Sequence, residues 1–267
     1  MTIAAGLCSI TFRTLSPDAV IDLASRAGVQ GLEWGADVHA PTGGGSALDE
    51  LGGRTRDAGL AVVSYGSYLG MAPPGHDDEG AVDAALDSAE ALGAPMVRIW
   101  AELGVTPAAP PDEWRRVADR TRALAQSIVA RGLVPTLEFH PGTLTETAHS
   151  TIELLGSVGN PELRTHWQPD PSLTADAALD ELAAVAPQLA HLHVFTWGPD
   201  GIDDRRPLAA GETLWARALA LADLEGDGVP GGRYALCEYV RDDDPEQFVA
   251  DVRVLRDWIH DIEPGRK

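Results

Sequence analysis

Short apolar, β-branched runs alternate along this chain with longer amphipathic segments. The runs IAAGLCSITF (3–12), GLEWG (31–35), LAVVSYG (60–66), PMVRIWA (95–101), LVPTLEFH (133–140), LRTHWQ (163–168), LAHLHVF (189–195) and YALCEYV (234–240) read as strands. Between them, SPDAVIDLASRAG (16–28) reads as a helix with a Ser N-cap, Pro at its first position and a terminating Gly. EGAVDAALDSAEALG (79–93), PDEWRRVADRTRALAQSIVARG (111–132) and PEQFVADVRVLRDWIHDI (245–262) have the same character. Such alternation predicts βαβ units and a parallel sheet. Eight pairs in roughly 250 residues are what a closed (β/α)8 barrel requires. A doubly wound open sheet needs fewer strands, and the first strand-to-helix turn has no glycine fingerprint. The expected fold is therefore an α/β single barrel domain over residues 1–267, with its active site at the C-terminal ends of the strands. The Gly43–Gly45 run is weak evidence for phosphate binding, and no linker or further repeat interrupts the pattern.

Composition narrows the chemistry. With 44% hydrophobic and 23% charged residues, and no run long enough to span a bilayer, a soluble globular protein is expected. MTIAAGLCSITFR has no basic leader followed by an apolar core, and two cysteines make no disulfide framework. A reducing cytoplasm is the expected compartment. The net charge of −21 argues against nucleic acid, which needs clustered Lys and Arg. The lone lysine is Lys267, which removes Schiff-base catalysis, pyridoxal phosphate attachment and phosphate-loop chemistry.

Side chains two apart on a strand share a face. On the fifth strand Thr136, Glu138 and His140 do so; on the sixth, His166 and Gln168; on the seventh, His191 and His193. On the eighth, Glu238 lies near the end. If these sets point inward, Glu138, Gln168, His193 and Glu238 converge on one small volume. Carboxylates gathered there repel one another and lose hydration, and a divalent cation removes that cost. The oxygen-rich set favours Mn²⁺ or Mg²⁺, with Zn²⁺ and Co²⁺ as alternatives. Against this, a lone Glu at a strand end is more often a solvated rim residue, and His140 or His191 can be hydrogen-bonded mouth or core groups. The convergence of four such residues on successive strands carries the reading.

GLEWGADVH (31–39), LEFHPGTLTET (137–147), LHVFTW (192–197), RPLAAGETLW (206–215) and LCEYVRDDDPEQF (236–248) resemble the xylose-isomerase-like TIM barrels, which include sugar isomerases and epimerases. The resemblance implies a metal held by Glu138, Gln168, His193 and Glu238. Where the family has Asp, this chain has Gln168, and the His that often follows three residues on is Pro171. An amide oxygen can still coordinate; Asp170 is the alternative donor. The family's reaction is proton abstraction next to a carbonyl, through an enediolate, with Glu138 and Glu238 on opposite faces of the substrate. Epimerisation uses both; isomerisation needs one.

Expected substrate-binding residues are Glu33, Trp34, His39, Arg98, His140, Trp197 and Arg206. Trp100 and Trp167 are read at least equally well as packing the barrel against its helices. Arg98, Arg205 and Arg206 are the only obvious phosphate ligands, so an unphosphorylated polyol or keto-sugar is expected. Cys8 and Cys237 read as reduced packing residues on strands that closure makes neighbours. Competing readings within the resemblance are metal-dependent lyases, hydratases and C-glycoside-cleaving enzymes on keto-sugars. A zinc apurinic endonuclease needs a basic face; a non-catalytic sugar sensor or partner subunit is kept open by Gln168. A homo-oligomer is left open too.

Overall fold

The computed structural model describes residues 3–73, 75–76, 79–224, 229 and 231–262; Lys267 lies outside them. Eight parallel strands close into a barrel: β1 (Ala4–Cys8), β2 (Gly31–Gly35), β3 (Ala61–Gly66), β4 (Met96–Ile99), β5 (Val134–Glu138), β6 (Arg164–Trp167), β7 (Leu189–Val194) and an eighth, β10 (Tyr234–Cys237). β10 pairs with β1 (Leu7 opposite Cys237), which is the closure the two cysteine-bearing strands suggest. Between β7 and β10 a two-stranded antiparallel hairpin, β8 (Trp197–Gly198) and β9 (Gly201–Arg205), was not foreseen from the pattern.

Eight helices wrap the barrel: α1 (Pro17–Ala27), α2 (Ser46–Asp57), α3 (Glu79–Leu92), α4 (Pro111–Ala130), α5 (Ala148–Val158), α6 (Ala175–Val185), α7 (Glu212–Leu224) and α8 (Pro245–Ile262). In α1, Ser16 Oγ accepts from the Ala19 N–H and Gly28 closes the helix at φ +80°, a conformation that favours glycine. The outward strand residues and the inward helix faces form one continuous apolar core, including Leu32, Trp34, Trp167, Leu192 and Trp215.

Strand pairing stops sooner than the apolar runs imply. The run 3–12 is a strand only to Cys8; Ser9–Phe12 is a 3₁₀ turn whose apolar residues are buried all the same, Phe12 edge-on to Phe248 at 5.5 Å. His140, Gln168 and Glu238 likewise lie past the last residue of their strands. These positions leave the ladder as the chain turns over the barrel mouth, so burial there comes from the mouth and not from the sheet.

Candidate active site

At the upper end of the barrel interior an arginine stands between two glutamates. Arg98, from β4, donates through Nε to Glu33 Oε1 (2.9 Å) and through Nη1 to Glu138 Oε2. Glu33 Oε2 accepts from Ser64 Oγ, and Cys8 Sγ lies 3.3 Å from Glu33 Oε1. Gly66 on β3 makes room for this: a Cβ there would sit 2.7 Å from Arg98 Nη2 and 3.0 Å from Glu33 Oε1.

His193 stands among three carboxylates. Its Nδ1 is 3.3 Å from Glu138 Oε1 and 3.6 Å from Glu238 Oε2, and its Nε2 is 3.6 Å from Glu33 Oε1. Burial alone would drive every one of these groups to its neutral form. For Glu138 the Arg98 guanidinium prevails and holds the carboxyl at about 2. For Glu33 burial is again overcome by Arg98, leaving its pKa well below the usual carboxylate range. For His193 burial is overcome by Glu238 and Glu138, and its pKa is raised. Glu238 has no such guanidinium within bonding reach, and burial pushes it up to about 7. Burial pushes His166 down to about 3. The charge balance is thus only partly what the sequence suggests: Arg98 already pairs with Glu138, one of the two carboxylates assigned to a metal.

Several polar atoms in this cluster lack a hydrogen-bond partner. They are both ring nitrogens of His166, both of His193, and Glu238 Oε2. Buried polar groups are nearly always paired, so a cluster of orphans implies an absent partner. Two sets of side chains bring one donor atom each within 4.8 Å of one another: Glu138, His166 and His193, and Cys8, Glu33 and His193. The residues fit a divalent cation.

Above the cluster opens a cavity of about 380 Å³. Arg98, Glu138, Gln168 and Glu238 form its polar floor. One wall is Tyr68, Trp100 and His140, with Trp100 near-parallel to Tyr68 (6.4 Å, 13°) and 4.8 Å from His140. The other is Phe195, Trp197 and Tyr239, with Phe195 stacked on Trp197 at 4.3 Å. Tyr239 has φ +47°, which costs a non-glycine residue of order 1–3 kcal/mol. That twist lets consecutive residues Glu238 and Tyr239 both reach the cavity, which strand alternation forbids. Gly70 seats the first wall: its φ is +82° and a Cβ would meet Trp100 O at 2.2 Å, while Leu69 O accepts from the Trp100 N–H.

Of the expected residues, Glu138, Gln168, Glu238, Arg98, His140 and Trp197 line the cavity, and His193 lies just beneath it. Four expected substrate contacts do not. Trp34 points outward into the helix layer, where its Nε1 donates to Thr55 Oγ1 (3.3 Å). Its neighbour Glu33 takes the inward place and is fully buried under Arg98, so it holds Arg98 and does not face substrate. His39 is buried against Trp34 and donates through Nε2 to Leu15 O (3.1 Å). Arg206 is paired with Asp204 (2.7 Å) on the hairpin, and Arg205 with Asp243 (2.5 Å). Asp170 is also drawn off: its Oδ1 accepts from the Ser172 N–H, and it lines a neighbouring cavity.

Trp167 packs between Phe139 and Trp215, as alternation suggests, whereas Trp100 belongs to the cavity wall. The sequence reading did not pick out His166, Cys8, Ser64, Tyr68 or Tyr239. For His166 a signal existed, since it shares Gln168's face; the others are ordinary residue types whose placement depends on the closed barrel.

Among solved structures, the fold is similar to that of the probable 3-DHS dehydratase AsbF of Bacillus anthracis: 17% identity, TM-score 0.78, covering 95% of this chain and 99% of that one. It is also similar to a xylose isomerase-like TIM barrel protein of Mycobacterium smegmatis in complex with magnesium (16%, TM-score 0.70, 98% of each chain). The D-psicose 3-epimerase of Clostridium cellulolyticum H10 is a third (14%, TM-score 0.66, 97% and 99%). At these identities the likeness is one of fold. No curated protein sequence matches. The sequence profile of xylose isomerase-like TIM barrels matches residues 21–258, most of the barrel. The chain belongs to the xylose isomerase-like TIM barrel family.

Proposed function

We propose that this chain is a divalent-metal-dependent sugar isomerase or epimerase that removes a proton next to a carbonyl of a keto- or aldo-sugar. The observation that carries the reading is the meeting of Glu138, His193 and Glu238, with unpartnered polar atoms, directly beneath a cavity of sugar size. Glu138, His193 and Glu238, with a sixth-strand donor, would hold the cation. When bound, it supplies Lewis-acid stabilisation of the negative charge that develops on the substrate oxygens.

The remaining work falls to side chains. Glu238, which reaches the cavity and is unclamped, takes and returns the proton at the substrate carbon. Arg98 keeps Glu138 ionised. The two aromatic walls offer flat apolar faces to a sugar ring and exclude water from the reacting carbon. With Arg205 and Arg206 paired to Asp243 and Asp204, and Arg13 at the cavity already bound to Asp37, an unphosphorylated substrate is favoured.

A second reading has its own support. Two-base epimerisation asks Glu138 to exchange protons, and the Arg98 clamp opposes that. A single working carboxylate suits isomerisation, or elimination of water or a glycosidic group from a keto-sugar. The relative named a probable 3-DHS dehydratase has the same fold.

Incubation of the metal-loaded protein in D₂O with free ketoses, aldoses and 3-keto-glucosides tests both. Deuterium entering next to the carbonyl, with a rearranged sugar as product, is the expected outcome. An unsaturated product selects elimination, and no exchange with any carbonyl substrate overturns the proposal.

A further inference from the structure

The family resemblance implies a carboxylate ligand from the sixth strand, and here position 168 is an amide. Two residues earlier on the same face stands His166. It is 1% exposed, and neither ring nitrogen has a hydrogen-bond partner, although Nδ1 approaches Glu33 Oε2 at 3.5 Å. Among the other described buried histidines His193 shares this state, whereas His191 and His39 each have one ring nitrogen paired. His191 Nδ1 accepts from the Tyr234 N–H (3.2 Å), and His39 is bonded to Leu15 O. His166 is the register partner of Glu138 across β5 and β6, and the β6–β7 ladder shifts register between Thr165 and Trp167, around His166. Irregularities of this kind re-aim side chains near functional sites. The result is that Glu138, His166 and His193, on three adjacent strands, bring one donor atom each within 4.8 Å of one another.

We propose that His166, in place of residue 168, is the sixth strand's metal ligand, and that the site therefore selects Zn²⁺, Co²⁺ or Fe²⁺ over Mg²⁺. This rests on the metal-binding part of the function proposed above. Two imidazoles beside carboxylates form a borderline nitrogen set, whereas an all-oxygen sixth-strand donor suits Mg²⁺ and Mn²⁺. The other set, Cys8, Glu33 and His193, is the weaker candidate, because both Glu33 oxygens already accept from Arg98 and Ser64. Gln168 stays at the cavity floor, free to meet the substrate.

X-ray absorption at the zinc edge of the zinc-loaded protein, with zinc affinity measured against a competing chelator, decides it without reference to turnover. The wild-type spectrum is expected to contain two imidazoles and no sulfur. His166→Gln should lose one imidazole and weaken zinc by about 100-fold or more, beyond the usual cost of losing an outer-sphere partner. Gln168→Ala should keep both imidazoles and bind zinc within a few-fold of wild type, by about the same reasoning. A single imidazole in the wild-type spectrum, a sulfur ligand, magnesium binding as tight as zinc, or loss of metal in Gln168→Ala alone would each overturn the assignment. The spectrum needs no variant, so a misfolded His166→Gln leaves the answer intact. Two imidazoles in a protein that exchanges no substrate hydrogen would uphold the ligand set while ending the isomerase reading.

Discussion

The Arg98 guanidinium donates to Glu138 Oε2 across the β4–β5 seam, and neither side chain is more than 4% exposed. Arg98 is bound to Glu33 as well, so one permanent cation locks two carboxylates inside the barrel. Removing one partner of a buried ion pair leaves the other charge unpaired in low dielectric. Arg98→Met is therefore expected to lower the unfolding free energy by about 3–5 kcal/mol. Chemical denaturation of the metal-free protein measures it. The double variant Arg98→Met, Glu138→Gln should recover part of the loss, because it removes one stranded anion.

Glu238→Gln keeps the shape of the side chain and removes its basicity. Turnover should fall by about 10²–10⁴-fold, the usual worth of a positioned general base. Circular dichroism and the melting temperature of the metal-free protein should barely change. Turnover near the wild-type value would remove Glu238 from its role.

Acid should act on the metal-free protein in two stages. Burial pushes His166 down to about 3 from an ordinary 6.5, so its contribution to stability is complete above 6.5 and drains away as pH falls towards 3. Burial raises Glu238 to about 7 from 4.5, so its contribution is complete below 4.5 and is lost as pH rises through 7. The two oppose each other between 4.5 and 6.5, but His191, which burial also holds well below 6.5, adds a second loss over the same window. Below 4.5 Glu138, held at about 2 by Arg98, begins its own loss alongside His166. Urea melts with a chelator present should therefore show stability declining below pH 6.5 and falling more steeply beneath 4.5. In Glu238→Gln the decline between pH 6.5 and 4.5 should be steeper than in the wild type, because the opposing group is gone.

Gly66→Ala is a steric test of the charge network. The new methyl would lie 2.7 Å from Arg98 Nη2, inside any permitted contact, so the guanidinium must shift within its pair of carboxylates. A loss of about 1–3 kcal/mol is expected from overpacking, together with weaker metal binding. Calorimetry with and without metal separates the two effects.

Chelation should destabilise the wild-type chain. A ligand present at a hundred times its Kd contributes about 2.7 kcal/mol to the folded state. The melting temperature should drop on adding chelator and recover on adding zinc. No response would argue that Arg98 alone balances the interior charge.

Much of the barrel could be read from periodicity, because strand and helix periods are local properties of the chain. The eight apolar runs, the Ser16 cap and the inward set Glu138, His193 and Glu238 follow from spacing alone. Trp34 and Glu33 mark where that reading ends. Adjacent on one strand, they must face opposite ways, and which of them turns inward depends on the neighbouring strands and helix. The polar residue went inside because Arg98, Ser64 and Cys8 come from three other strands to receive it. His39 and Arg206 were drawn away by Leu15 O and Asp204, partners that the turn after β1 and the β8–β9 hairpin provide. The chain's own pattern thus determines a barrel with carboxylates and imidazoles at one mouth. The partner of each charge, and hence which group stays ionised and which histidine is left free to bind a metal, is decided by barrel closure, because electrostatic pairing depends on distance in space and not on separation along the chain.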